Sequence, residues 1–329
     1  MNTAAVILAA GAGTRMKSKK PKVAHEMMGK PLVRWVIDAA EQAGVARVVT
    51  VVGHMREQVE PLVADKSEIV VQEHQRGTAD AVASCHEALG DFEGSLLVLS
   101  GDCPLITADT MRALADMRES NDAAVVVLTM RPENPFGYGR IIRDDAGAVE
   151  RIVEQKDATP EEAAVGECNS GFYCFDAQAL FAALEQVGSD NAQGEFYLTD
   201  VLEICRRAGR AVLALPAADD AECLGVNSRI QLAEAAKLAQ RRINGTHMAA
   251  GVTMADPDQV WIGPDVRIGP DVELLPQVQL YGETSIGEDC IIGPNAHLVD
   301  TSVGNDCTIG SIVAVGAGIA DGSIIGTII

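Results

Sequence analysis

The feature that most constrains the fold is a six-residue period in the last part of the chain. Aliphatic residues stand at Ile262, Ile268, Leu274, Leu280, Ile286, Ile292 and Leu298, a strict step of six. Glycine follows many of them (Gly263, Gly269, Gly287, Gly293), and a second row of mostly small residues runs through Val260, Val266, Val272, Val278, Thr284, Cys290 and Ala296. A helix repeats on about 3.6 residues and a strand on about two, so neither accounts for a step of six. The period is that of a hexapeptide-repeat parallel β-helix, in which each short strand turns one aliphatic side chain inward and glycine makes the corner. At three hexads per coil, the ~70 residues from position 260 make about four coils. The register is expected to slip by one near residue 303 and to resume at Ile309 and Val315. The sequence ends on the apolar string Gly326-Thr327-Ile328-Ile329. A solenoid edge of that kind is expected to be covered by further coils or by another chain.

Up to about residue 228 the grammar is different. Near-continuous apolar runs at 4–9, 46–52, 69–72, 95–100, 123–130 and 170–176 read as strands, with amphipathic segments between them. One such segment is expected to open as a helix at Pro31 and to close at Gly44. Strands of this kind separated by helices predict a mostly parallel sheet buried on both faces. Residues 229–243 hold no Gly or Pro and predict a connecting helix, stopped by Asn244-Gly245. The expected division is therefore 1–228, an α/β domain; 229–250, a connecting helix; and 251–329, a β-helix.

Composition narrows the function classes. With 26 basic and 47 acidic side chains the net charge is −21, which argues against non-specific nucleic-acid binding and anionic membrane surfaces. The eight cysteines include no C-x-x-C pair, and in a chain of 329 residues they read as small apolar residues of a reducing compartment. Residues 3–13 lack the basic flank of a signal peptide, and no apolar run reaches the ~18 residues of a membrane span. A cytoplasmic protein without membrane insertion is expected.

Against that acidity, Arg15, Lys17, Lys19, Lys20 and Lys22 crowd into one loop that follows an apolar run and Gly11-Ala-Gly13. The physical reason for such a cluster is a polyanion held by backbone N–H groups and cations together. The loop lacks the third glycine of a dinucleotide fingerprint and the Gly-Lys-Thr/Ser ending of a P-loop. Judged alone, it fits a tight turn with solvated lysines equally well. Gln72-Glu-His-Gln-Arg-Gly77-Thr78-Ala-Asp80 offers a carboxamide whose donor and acceptor match a pyrimidine edge, or else a loop glycine before a helix cap. Asp102, just after the strand at 95–100, is a hard oxygen ligand suited to Mg²⁺, and taken alone it reads more readily as a helix cap.

The longer strings are more specific. Leu8-Ala9-Ala10-Gly11-x-Gly-Thr-Arg15-Met followed by Pro21-Lys22 resembles the signature of sugar-1-phosphate nucleotidylyltransferases. Together with Gly137-Tyr-Gly139-Arg, Ile152-Val-Glu154-Gln-Lys-Asp, Asn169-Ser-Gly171, Asn191-Ala-Gln-Gly-Glu-Phe-Tyr-Leu-Thr-Asp200 and Gly225-Val-Asn227, the chain resembles one family. It is the bifunctional N-acetylglucosamine-1-phosphate uridylyltransferase/glucosamine-1-phosphate acetyltransferase (GlmU) family, and the resemblance extends over essentially the whole chain.

That resemblance implies a Rossmann-like nucleotidyltransferase domain and a left-handed β-helix. It implies UTP and N-acetylglucosamine 1-phosphate as substrates, UDP-N-acetylglucosamine and pyrophosphate as products, and Mg²⁺ as cofactor. Leu8, Ala9, Ala10 and Gly11 would line the nucleotide. Arg15 and Lys22 would neutralise the departing pyrophosphate, while Gln72, Gly77 and Thr78 would recognise uracil. Gly139, Glu154 and Asn169 would hold the amino sugar, and Asp102 and Asn227 the metal. Asp80 departs from the family pattern, where His is frequent. The family's acetyltransferase site lies in later coils, so that activity is not expected of these residues. A homotrimer formed through the β-helix and a role in cell-wall precursor synthesis are implied. The alternatives are a pyrophosphorylase for another sugar phosphate or base, and an inactive nucleotide-sugar-binding or trimerisation module.

Overall fold

Alternate residues of single strands enter two different cores, which is why the apolar runs are continuous. The computed structural model describes residues 2–326. In strand β1 (Thr3–Ala9), Ala4 and Val6 pack on one side of the sheet, and Ala5, Ile7 and Ala9 on the other. The same division holds in β4 (Ser95–Ser100) and β5 (Val125–Met130). Helices cover both faces. On one lie α3 (Thr78–Ala83), α5 (Ala177–Leu184) and α6 (Asp200–Arg207). On the other lie α1 (Leu32–Gln42), α2 (Arg56–Val63) and α4 (Ala108–Ser120). Each fully buried aliphatic side chain contributes about 1.5–3 kcal/mol, so a polar replacement without a hydrogen-bond partner would be costly on either face. As expected, Pro31 precedes α1, and the chain leaves it through Ala43 and Gly44.

The remaining strands of this unit are β2 (Arg47–Val52), β3 (Glu68–Val71), β6 (Arg140–Arg143), β7 (Val149–Val153), β8 (Cys168–Asp176) and β9 (Val212–Pro216). Their order is β9-β5-β8-β4-β1-β2-β3, with the β6–β7 hairpin attached at the start of β8. The sheet is mostly parallel, but β8 runs antiparallel to both β4 and β5. From β1 the chain steps outward to β2 and β3, then returns to lay β4 on the other side of β1. Such a reversal opens a crevice beyond the carboxyl ends of the two strands, where open α/β sheets bind ligands. Strands β6, β7 and β9 are absent from the sequence reading, because their apolar positions are interrupted by charge or are brief.

The first compact unit comprises Met1–His25 and Pro31–Arg229; the second comprises Glu26–Lys30 and Ile230–Ile329. In the second, two-residue strands such as Trp261–Ile262, Arg267–Ile268 and Glu273–Leu274 each pair in parallel with the strand one coil on. The result is three stacked parallel sheets. Ile262, Leu274, Leu280, Ile286, Ile292 and Leu298 are buried in one core with the Val260–Ala296 row. The slip is real: Ile286 pairs Val303 and Ile292 pairs Ile309, each one residue short of three hexads. It does not resume at Val315. Leu298 pairs Ala314, a second residue is lost, and Val315 points outward and is exposed. Thr327–Ile329 of the apolar end lie outside the described residues.

The connecting helix α7 (Arg229–Ala249) runs straight through Asn244-Gly245, contrary to expectation. Asn244 is buried, and its Nδ2 donates to the carbonyls of Pro257 (2.8 Å) and Val260 (2.9 Å). A side chain committed to those carbonyls is not available to end its own helix. Among the described residues no helix is long and apolar enough to cross a membrane, and the eight cysteines are buried and unbridged.

Candidate active site

The loop after β1 folds back by two single-turn helices, Thr14–Met16 and Lys22–Ala24. Gly13, at the start of the first, has φ 58°, and a Cβ there would lie 2.5 Å from Lys22 Cβ. Glycine is thus what lets the two turns close on each other. The closure carries Arg15 and Lys22 to the end of β4. Lys22 Nζ donates to Asp102 Oδ2 and, at 3.0 Å, to Asn227 Oδ1, while Arg15 Nη2 donates to Asn227 Oδ1 at 2.8 Å. Backbone bonds fix the frame: Gly101 N donates to Leu8 O, and Val226 N to Asp102 O. Asp102 and Asn227, 125 positions apart, therefore meet through the Val226–Asp102 backbone bond. Lys17 and Lys19 are exposed.

A cleft of about 320 Å³ opens beside this cluster. Leu8, Ala9, Ala10, Gly11, Lys22, Gln72, Gly77, Thr78 and Asp102 all line it, as do Gln75, Ser100 and Glu195, which the sequence reading did not single out. Gln75 and Glu195 lie inside quoted motifs, but nothing in their spacing marks them. Gln72 is buried at the end of β3, its Nε2 donating to Gly77 O (3.1 Å) and Asp80 Oδ2 (2.8 Å). Gly77, with φ 126° and ψ 177°, is the cap before α3, and Thr78 is the first helical residue. Thr78 makes no cap; its Oγ1 accepts from Leu198 N at 3.0 Å.

Gly139, Glu154 and Asn169 form a neighbouring group outside the lining of that cleft. Because β8 is antiparallel, its first residues lie beyond the end of β4, and a bulge follows Asn169. Asn169 N donates to Gly139 O at 2.9 Å, and a methyl group at Gly139 would lie 3.6 Å from both Asn169 Cβ and Glu154 Oε1. Glu154 accepts from Thr199 Oγ1 at 3.4 Å. Burial, and then the charges of Asp157, Asp200 and Glu195, holds its carboxyl above the usual range despite the Thr199 bond. The segment 196–199 thus touches both groups, through Thr78 on one side and Glu154 on the other. A hollow of about 690 Å³ lined by Arg131, Arg143, Glu167 and Asp220 holds no motif residue, and Arg143 is committed to Glu167 there.

The two units match two family models: the MobA-like NTP transferase domain over residues 5–203, and the bacterial transferase hexapeptide (six repeats) over residues 260–300. The chain is 50% identical to the bifunctional protein GlmU of Lactobacillus johnsonii over 91% of its own length and 65% of that protein's. It is 46% identical to that of Enterococcus faecalis over 91% and 65%. To that of Caldanaerobacter subterraneus it is 48% identical over 90% and 64%. It thus spans somewhat under two thirds of the length of these relatives. A solved structure of UDP-glucose pyrophosphorylase complexed with UDP-glucose is 18% identical, with a TM-score of 0.57, and covers 74% of this chain and all of that one. At that identity the likeness is one of fold. The chain belongs to the MobA-like NTP transferase family, with hexapeptide repeats after its transferase domain as in the GlmU proteins it resembles.

Proposed function

We propose that the chain transfers UMP from UTP to N-acetylglucosamine 1-phosphate, releasing pyrophosphate and forming UDP-N-acetylglucosamine. The observation that carries the reading is the meeting of Arg15, Lys22, Asp102 and Asn227 beside the cleft after β1, whose lining includes Lys22 and Asp102. A phosphate monoester dianion must approach another phosphate, and fixed cations lower that repulsion. Arg15 and Lys22 would stabilise the β- and γ-phosphates, with the backbone of Leu8–Gly11 alongside. The sugar-phosphate oxygen forms a bond to the α-phosphorus in line, and the α–β bridging bond breaks with its electrons leaving on pyrophosphate. The substrate is its own nucleophile, so no side chain need be covalently modified.

The oxygens of Asp102 and Asn227 both lie on one positive centre, the Lys22 ammonium. Two hard oxygen donors converging on a cation fit Mg²⁺, an ion that typically takes one or two protein oxygens and completes its shell with water and substrate phosphates. When bound, the ion would neutralise phosphate charge. Among the described residues no group of three or more His, Cys, Asp or Glu side chains could hold a metal unaided, which agrees with that division of labour.

Gln72, Gly77 and Thr78 would take the uracil. Glu154 and Asn169 would take sugar hydroxyls or the N-acetyl group, with Gly139 leaving room for the ring. The same reading includes a homotrimer joined through the repeats, to which the exposed Ile291, Val313, Val315 and Ile324 lend support, and a cytoplasmic role in cell-wall precursor synthesis. The deciding experiment is pyrophosphate release by the purified chain with Mg²⁺, using UTP, CTP, dTTP and ATP against a panel of sugar 1-phosphates. Preference for UTP with N-acetylglucosamine 1-phosphate is expected; no release with any pair would refute the assignment. Light scattering on a sizing column tests the trimer.

A further inference from the structure

Asp80 and Arg76 have no part in the reaction as proposed, yet they decide which way Gln72 faces. Both partners of Gln72 Nε2, the Gly77 carbonyl and the Asp80 carboxylate, are acceptors only. The buried amide therefore has a single orientation, since a flip would turn Oε1 against two oxygens. Oε1 remains as the free end, and among the described residues it accepts no hydrogen bond. The carboxylate is itself held from the far side. Arg76 donates to Asp80 Oδ1 from Nε at 3.1 Å and Nη2 at 2.6 Å, leaving Oδ2 for Gln72. The Arg76 guanidinium in turn lies over the Phe196 ring, 5.6 Å from its centroid. Phe196 N donates to Arg76 O at 2.8 Å, which closes the network.

We propose that Asp80, steadied by Arg76, is a positioning residue that locks Gln72 as an acceptor toward the nucleotide base. The lock selects pyrimidines that carry N–H at ring position 3 over those with a bare nitrogen there. It rests on the reading that Gln72 faces the base. Uracil and thymine offer N3–H to Oε1. Cytosine presents a lone pair, which a locked Oε1 opposes and a freely turning amide would satisfy through Nε2.

The test is the ratio of kcat/KM for UTP to that for CTP in the full chain, native and Asp80→Ala, with calorimetric binding of each nucleotide as a readout independent of turnover. The lock predicts that Asp80→Ala raises the KM for UTP and lowers that for CTP, with kcat nearly unchanged, so that the ratio falls by about tenfold or more. A merely structural role would weaken both nucleotides together. Arg76→Ala, at a largely exposed side chain, guards against misfolding of the first variant and is expected to lower the ratio about threefold. Folded variants that keep the native ratio within twofold, or lose both nucleotides equally, overturn the proposal. A native chain that prefers CTP overturns the base reading with it, whereas native UTP preference retained in the variants overturns only the lock.

Discussion

Replacing Gly77 by alanine tests the link between backbone geometry and the cleft. At φ 126° and ψ 177° the residue sits in a region essentially reserved for glycine, which costs about 1–3 kcal/mol for any other residue. The added Cβ would lie 2.7 Å from Phe196 N and closer still to its carbonyl oxygen. That backbone cannot easily yield, because Phe196 N donates to Arg76 O and Phe196 O accepts from Ala79 N at 3.0 Å. Overlap of this kind adds about 1–3 kcal/mol. Partial relaxation of the loop brings the expected loss to about 3 kcal/mol. For a unit of this size that lowers the melting temperature by about 6–12 °C.

Relaxation would also displace Gly77 O from Gln72 and loosen the Thr78–Leu198 bond, so the KM for UTP is expected to rise about tenfold. Thermal unfolding by circular dichroism and steady-state pyrophosphate release measure the two effects. Gly188→Ala is the control, since nothing lies within 4 Å of a Cβ there; its stability should stay within about 0.5 kcal/mol of native. A Gly77→Ala chain that melts within about 1 °C of native with an unchanged KM would refute the reasoning.

Asp102→Ala should lower kcat by about 10²–10³ while stability moves by about 1 kcal/mol or less, because Lys22 keeps Asn227 and water; near-native turnover would remove Asp102 from the metal assignment. Glu154→Gln should raise the melting temperature at pH 8 and raise the KM for the sugar phosphate. Its folded pKa lies above its unfolded one, chiefly through burial, so the charged form destabilises the fold at neutral and higher pH. That penalty fades as pH falls through the raised folded value toward the unfolded one, so the difference in melting temperature should close in acid; a difference independent of pH would contradict the burial argument. Asn244→Ala removes two buried hydrogen bonds but also an acceptor, Oδ1, that has no partner among the described residues, for a net loss of about 1 kcal/mol in thermal unfolding. Native stability in that variant would mean that the two Asn244 hydrogen bonds are not what carries α7 past Gly245.

Local periodicities were legible in the sequence because each repeat or strand carries its own instruction. Burial on both sheet faces requires unbroken apolar runs, as in 95–100, and the inward residue of each coil requires its own aliphatic. The placement of the motifs was legible for the same reason: Gly13, Gly77 and Asp102 stand where a turn or a strand end dictates. The loss of a second residue before Ala314 was not legible, since Val313 and Val315 are as aliphatic as their inward counterparts and only pairing with Leu298 distinguishes them.

What the sequence determined by itself is the pair of architectures and the residue types proposed to meet phosphate, base and sugar, because hydrophobic period and turn chemistry act over a few residues. Only the tertiary structure decided which of those residues meet. The reversal of strand order between β1 and β4 brings Lys22 to Asp102, the Val226–Asp102 backbone bond brings Asn227 to both, and the antiparallel run of β8 brings Asn169 beside Gly139. The orientation of Gln72 was likewise decided there, because an amide has two faces of nearly equal shape. Its choice between them depends on acceptors that the folded chain supplies: a carbonyl at Gly77 and a carboxylate at Asp80 that Arg76 holds in place.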